Sequence, residues 1–159
     1  MGSGKSTIAI ALSERLSWQW HDTDDDIVRR TGLPISEIFR RYGEDDFRSL
    51  ESSALYRSAQ QEHAVIATGG GAPCHNDNLN LMKKQGEVVY LRCSVDALVD
   101  RLSKEREHRP LVSSISSKRL PDHIRDHLNE REEYYSQADY VIDADQPVDR
   151  IVDAIVASL

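Results

Sequence analysis

The chain has 159 residues, 39% hydrophobic and 30% charged, with a net charge of −7. That length suits one domain with its own core, the composition excludes a disordered chain, and an acidic chain without a basic run is not built chiefly for nucleic acid. No apolar stretch approaches membrane-spanning length, no signal-peptide pattern is read, and Cys74 and Cys93 lack disulfide-framework or zinc spacing, so a cytoplasmic protein with no membrane partner is expected.

The elements are predicted in chain order. Ile8, Leu12 and Leu16 recur at helical spacing, which predicts a helix over about 5–16. Trp18, Gln19, Trp20 and His21 read as a strand ending at Asp22. A helix over 24–30 stops at Gly32, and Leu33-Pro34 starts a short one that Gly43 breaks. A longer helix follows over about 44–60, with Phe47, Leu50, Ala54 and Leu55 inward. Ala64 to Ala67 form a short apolar strand that runs into Thr68-Gly69-Gly70-Gly71. Then come a helix over 79–84, a strand over 88–91, a helix over 95–102, a polar irregular segment over 105–118, and a helix over 121–135. A strand at Tyr140-Val141-Ile142 precedes an amphipathic helix that Pro147 opens. Strands alternating with helices imply an α/β fold of three layers, α/β/α, around a parallel sheet. The two tryptophans are expected to pack, and the six histidines show no metal spacing.

Gly2-Ser3-Gly4-Lys5-Ser6-Thr7 reads as the end of a phosphate-binding Walker A loop running into a helix. Backbone N–H groups of such a loop wrap phosphate oxygens, and the helix N-terminus adds its positive end. Lys5 would reach the outer phosphates of a nucleotide, and Ser6 would ligate magnesium. A flexible Gly-Ser terminus is the bland reading; an apolar helix starting at once after Lys5 argues against it. The first Gly of the motif and the strand before it are absent.

Asp22 and Asp24 sit at a strand end, two residues apart, so in extended chain both carboxylates face one side. Clustered carboxylates suit metal binding and proton acceptance. Helix capping by Asp24 or Asp25 explains the same residues when they are taken alone, and Asp25 and Asp26 are assigned to capping. Arg48 and Glu51 lie three apart on one helical face. They form either an ordinary ion pair, or an arginine oriented to grip a carboxylate with its planar fork. Three successive glycines at the end of a buried strand suggest a backbone that something approaches closely. Arg106, His108 and Arg109 lie in the polar segment, either a solvated loop or a lid over a transferring phosphoryl group. Arg131, among acidic neighbours, is open to a purely structural role.

Taken in order, GSGKST, the DTD at 22–24, GEDDFRSLE, the triple Gly, RPLV and EREEYY resemble shikimate kinase, one of the nucleoside-monophosphate-kinase-like P-loop proteins. The resemblance runs from Met1 to near the C-terminus and implies one P-loop kinase domain over 1–159. A substrate-binding helical region would span about 24–60 and a lid about 105–118. It implies transfer of the γ-phosphoryl group of ATP to the 3-hydroxyl of shikimate, in aromatic amino acid biosynthesis, by a cytoplasmic monomer. Gly2, Ser3, Gly4, Lys5, Ser6 and Thr7 would hold ATP. Ser6 and Asp22 would hold Mg2+, Asp22 through water. Asp24 would contact the ring hydroxyls and accept a proton. Arg48 and Arg131 would clamp the substrate carboxylate beside Gly70 and Gly71. Arg109 would be the lid arginine, and Arg101 and Pro147 would flank adenine. Two departures stand out: Val112 replaces a usual Leu, and the family's first strand is missing. That strand would lie between the strands ending at Ala67 and Leu91, so four strands with a central gap are expected here. The natural protein is expected to start upstream, and the 159-residue form to be the less stable and weaker kinase. Rival readings are another small-molecule kinase of the same fold, of gluconate or nucleotide type, and an inactive nucleotide-binding paralogue.

Overall fold

The computed structural model describes residues 2–104 and 119–159. Arg106, His108, Arg109 and the expected lid lie outside the described residues.

Helix α1 (Lys5–Leu16) starts at Gly4, whose φ of 79° is left-handed, and buries Ile8, Ala9 and Leu12. Strand β1 (Gln19–Asp22) leads directly into α2 (Thr23–Thr31), which Asp22 caps and Gly32 ends. Acids crowd the first turn of α2 and Arg29 and Arg30 its last, matching the helix dipole at both ends. The two helices expected around Gly43 adjoin as α3 (Ile35–Ser58), interrupted as expected where Gly43 leaves helical geometry at φ 84°. Strand β2 (Ala64–Ala67) feeds the glycine turn and then a short 3-10 turn over Ala72–Cys74 that the sequence pattern did not reveal. The remaining elements are α4 (Asn78–Gln85), β3 (Val89–Arg92), α5 (Val95–Lys104), α6 (Leu120–Tyr135), β4 (Tyr140–Asp143) and α7 (Val148–Ser158).

β1 pairs in parallel with β2, Trp20 opposite Val65, and β3 in parallel with β4, Tyr90 opposite Val141. The two pairs are separate two-stranded sheets. Between them runs a cavity of about 750 Å³, lined by Val65 and Ile66 on one side, Val89 and Leu91 on the other, and Ile8 and Leu12 of α1. The inner edges of β2 and β3 thus face an open slot, where four strands with a central gap were expected.

The main core joins α1, α5, α6 and α7 through Ile8, Leu12, Leu102, Leu120, Ile124 and Ile155. A second, smaller core of Ile27, Ile38, Phe47 and Ala54 holds α2 to α3. Helices 2 and 3 therefore have apolar support of their own. Trp18 and Trp20, expected to pack, are each 39% exposed; Trp18, just before β1, meets His63 edge-on, and Trp20 lies on β1, which pairs with β2 alone. Among the described residues no helix is long and apolar enough to cross a membrane.

Candidate active site

The chemistry-bearing residues meet at the carboxyl ends of the strands, where α/β folds place their ligands. Ser3 and Lys5 line a cavity there with Thr68, Gly69, Gly70, Leu91 and Cys93. Gly4 gives α1 no side-chain cap. The first-turn N–H groups of α1 are thus left without a side-chain acceptor from the N-cap, as an anion-binding helix start requires. The Ser6 hydroxyl donates to Asp22 Oδ2 at 2.7 Å. One hydroxyl and one carboxylate beside a phosphate loop suit Mg2+, which keeps several waters and takes few protein ligands.

Asp22 also accepts from the Asp24 amide at 2.9 Å through Oδ1, so it caps α2 while its other oxygen meets Ser6. This corrects two expectations. The cap is Asp22, not Asp24 or Asp25, and Asp24 stands in the first turn of a helix, not in extended chain. The two carboxylates share a site because the cap folds the chain back on itself.

Asp24 has a buried Oδ1 with no hydrogen-bond partner. Burial, then the negative charges of Asp22 and Glu51, push its pKa up to about 6, against the opposing pull of Lys5. Asp26, two residues on, is no capping residue. It accepts from Arg29 (2.6 Å), Arg30 (3.1 Å) and Arg57 of α3 (2.7 Å). Burial opposes its charge, but the hydrogen bonds from Arg57, Arg29 and Arg30 prevail and hold the carboxyl at about 2.

Arg48 donates to Glu51 at 2.8 Å and to Glu44 at 2.9 Å. Burial works against its charge, and the bonds to Glu51 and Glu44 overcome this and raise its pKa. Glu51 itself is 1% exposed. The ion pair is present, and in it a buried acid fixes the Arg48 guanidinium.

The glycine turn is shaped around these side chains. A Cβ on Gly71 would fall 2.6 Å from Arg48 Nη1, and one on Gly69 would collide with the Glu51 carboxylate and crowd Asp24. Gly69 is thus as constrained as Gly71, and run composition alone could not rank the three. The Gly69 amide donates to the fully buried Thr23 hydroxyl, tying the turn to α2. Burial pushes the Cys74 thiol up, against the opposing charges of Arg131 and Arg48. Arg101 donates to the Ala144 carbonyl at 2.8 Å and approaches the Gly2 carbonyl at 3.5 Å. Pro147, at the N-cap of α7, follows on the same loop as Ala144. These contacts bring the loop before α7 beside the start of the phosphate loop.

A family model described as shikimate kinase matches residues 1–159. The chain belongs to the shikimate kinase family. It is 37% identical over 150 residues to a shikimate kinase of Bacteroides thetaiotaomicron, covering 94% of this chain and 86% of the relative. It is 39% identical to one of Nitratidesulfovibrio vulgaris, over 99% of this chain and 90% of the relative. A crystal structure of the Bacteroides thetaiotaomicron enzyme matches with a TM-score of 0.95 at 34% identity, covering 100% of this chain and 94% of that one. The shikimate kinase of Acinetobacter baumannii, solved in complex with shikimate, matches at 0.88 and 32% identity, covering 99% of this chain and 89% of that one. A gluconokinase of Sinorhizobium meliloti, at 19% identity and 0.61, over 99% of this chain and 86% of that one, shares the fold alone. The fold is the P-loop kinase fold, and the activity is that of an ATP-dependent shikimate kinase using Mg2+. The gluconate-type reading gives way, because relatives at this identity and coverage are shikimate kinases.

Proposed function

We propose that phosphoryl transfer from ATP to shikimate runs on the following division of labour. Asp24 hydrogen-bonds the 3-hydroxyl of shikimate and takes its proton as that oxygen attacks the γ-phosphorus and the bond to the bridging oxygen of ADP breaks. The observation that carries this is the buried, unpartnered Oδ1 of Asp24, whose pKa of about 6 suits a carboxylate poised to receive a proton near neutral pH. Lys5 lies close enough for its charge to offset the repulsion around Asp24. Gly2, Ser3, Gly4, Lys5, Ser6 and Thr7 cradle the ATP phosphates. Ser6 and Asp22 would hold Mg2+, which supplies charge neutralisation on the phosphates when bound.

Arg48, held by Glu51, and Arg131 grip the shikimate carboxylate between α3 and α6, with Gly70 and Gly71 forming the wall of that pocket. Arg101 and Pro147 flank the adenine. Arg109, outside the described residues, is assigned to the transferring phosphoryl group on its sequence motif. The protein works as a cytoplasmic monomer with one domain over 1–159, helices 2 and 3 forming its substrate-binding region.

Asp24→Asn tests the central assignment. Shikimate-dependent ATP turnover should fall by about 10³-fold, while ATP affinity stays within about twofold of the wild type. Full turnover in that variant would remove Asp24 from the chemistry. Arg48→Lys keeps the charge and loses the fork, so the KM for shikimate should rise by about tenfold or more with the KM for ATP unmoved. An equal rise in both would deny Arg48 its role.

A further inference from the structure

We infer that Tyr135 is a positioning residue for carboxylate recognition, holding Arg131 and the glycine turn in register through its phenol hydroxyl. This rests on the reading of Arg131 as a carboxylate ligand. Arg131 and Tyr135 stand four residues apart on α6, so their side chains share a helix face. The Tyr135 hydroxyl donates to the Gly70 carbonyl at 2.6 Å. The Arg131 guanidinium lies near enough to the same phenol for its charge to act on it. A phenol has one O–H to donate and lone pairs to accept with, so the bond to Gly70 leaves the oxygen able to accept from Arg131. The ring is also fixed from the sheet side, where Tyr90 of β3 lies 4.8 Å away between centroids.

One phenol oxygen therefore ties α6 to the turn after β2, one helical turn from Arg131. Arg48 is held from α3 by Glu51, and the same turn fits against it at Gly71. Arg131 has no comparable buried acid among the described ion pairs; the phenol is the group that fixes its direction. Loss of the hydroxyl frees the rotamers of Arg131 and leaves the Gly70 carbonyl without its donor.

The test is Tyr135→Phe, which keeps the ring against Tyr90 and removes one oxygen. Shikimate affinity, measured by calorimetry without nucleotide, should weaken about tenfold, the equivalent of one good hydrogen bond. The KM for ATP and kcat should stay within about twofold. With shikimate methyl ester, which has no carboxylate, the variant and the wild type should bind alike. In an Arg131→Lys background, Tyr135→Phe should add less than about twofold, because the hydroxyl acts through Arg131. If Arg131→Lys weakens shikimate binding but Tyr135→Phe does not, or if the two effects multiply independently, the positioning role fails and the carboxylate reading survives. If Arg131→Lys leaves shikimate binding unchanged, the carboxylate reading falls, and the inference with it. Equal losses for ester and acid would make Tyr135 a merely structural residue and overturn the inference.

Discussion

Asp24 and Asp26 stand two residues apart on the same short helix, and the fold treats them oppositely. Side chains two apart on a helix do not share a face. Asp24 therefore points toward the phosphate loop and Asp26 toward α3. Asp26 meets arginines from its own helix and from α3, and its carboxyl drops to about 2. Asp24 meets burial and further negative charge, leaves one oxygen unsatisfied, and rises to about 6. One carboxylate holds α2 to α3; the other is left buried with an oxygen unsatisfied. Burial alone does not separate structural from functional acids; what faces them does.

Asp24→Asn gives the largest expected change in stability. Its folded pKa lies above the ordinary carboxylate value, so the folded state binds the proton more tightly than the unfolded one. Stability then falls as pH rises from about 4 to about 6, by up to about 3 kcal/mol, and stays lower above that window. An uncharged Asn lacks this fall. Thermal melts at pH 8 should show the variant more stable than the wild type, and melts near pH 4 should show the two converging. A variant less stable at pH 8 would mean that the Asp24 charge is compensated after all.

Asp26→Asn should act in the other direction and more weakly, costing about 2 kcal/mol near neutral pH, as loss of charged hydrogen bonds does. A depressed pKa contributes stability above the unfolded value near 4, and that contribution is lost as pH falls toward about 2. The melting difference between variant and wild type should therefore shrink in strong acid. Turnover per folded molecule at low temperature should not change. A large loss of turnover without loss of stability would erase the contrast between the two acids.

Arg57→Gln probes one partner of Asp26 and should be the mildest. Arg29 and Arg30 remain on the carboxylate, and Arg57 is itself 37% exposed. A cost of about 1 kcal/mol or less is expected in denaturant unfolding. A cost equal to that of Asp26→Asn would show that the link between helices, not the charge balance, carries the effect.

What the sequence determined by itself is what near neighbours encode. The α1 start at Gly4 and Lys5, the stop of α2 at Gly32, the kink at Gly43 and the strand Ala64–Ala67 were legible because periodicity, caps and glycine punctuation act within about one helical turn. The ordered motifs carried the expectation that Lys5, Ser6, Asp22, Asp24, Arg48 and Arg131 share one site, because each motif is short and self-contained. The tertiary structure alone decided which acid in the run 22–26 caps, which is neutralised and which is left unpartnered. Asp26 finds Arg57 31 residues away. Tyr135 finds Gly70 65 residues away, and Gly69 owes its missing side chain to Glu51 from another helix. A carboxylate carries no local mark of its future partners. Its charge state and its use are set by desolvation and by the groups that packing brings within hydrogen-bond reach, and those come from distant stretches of the chain.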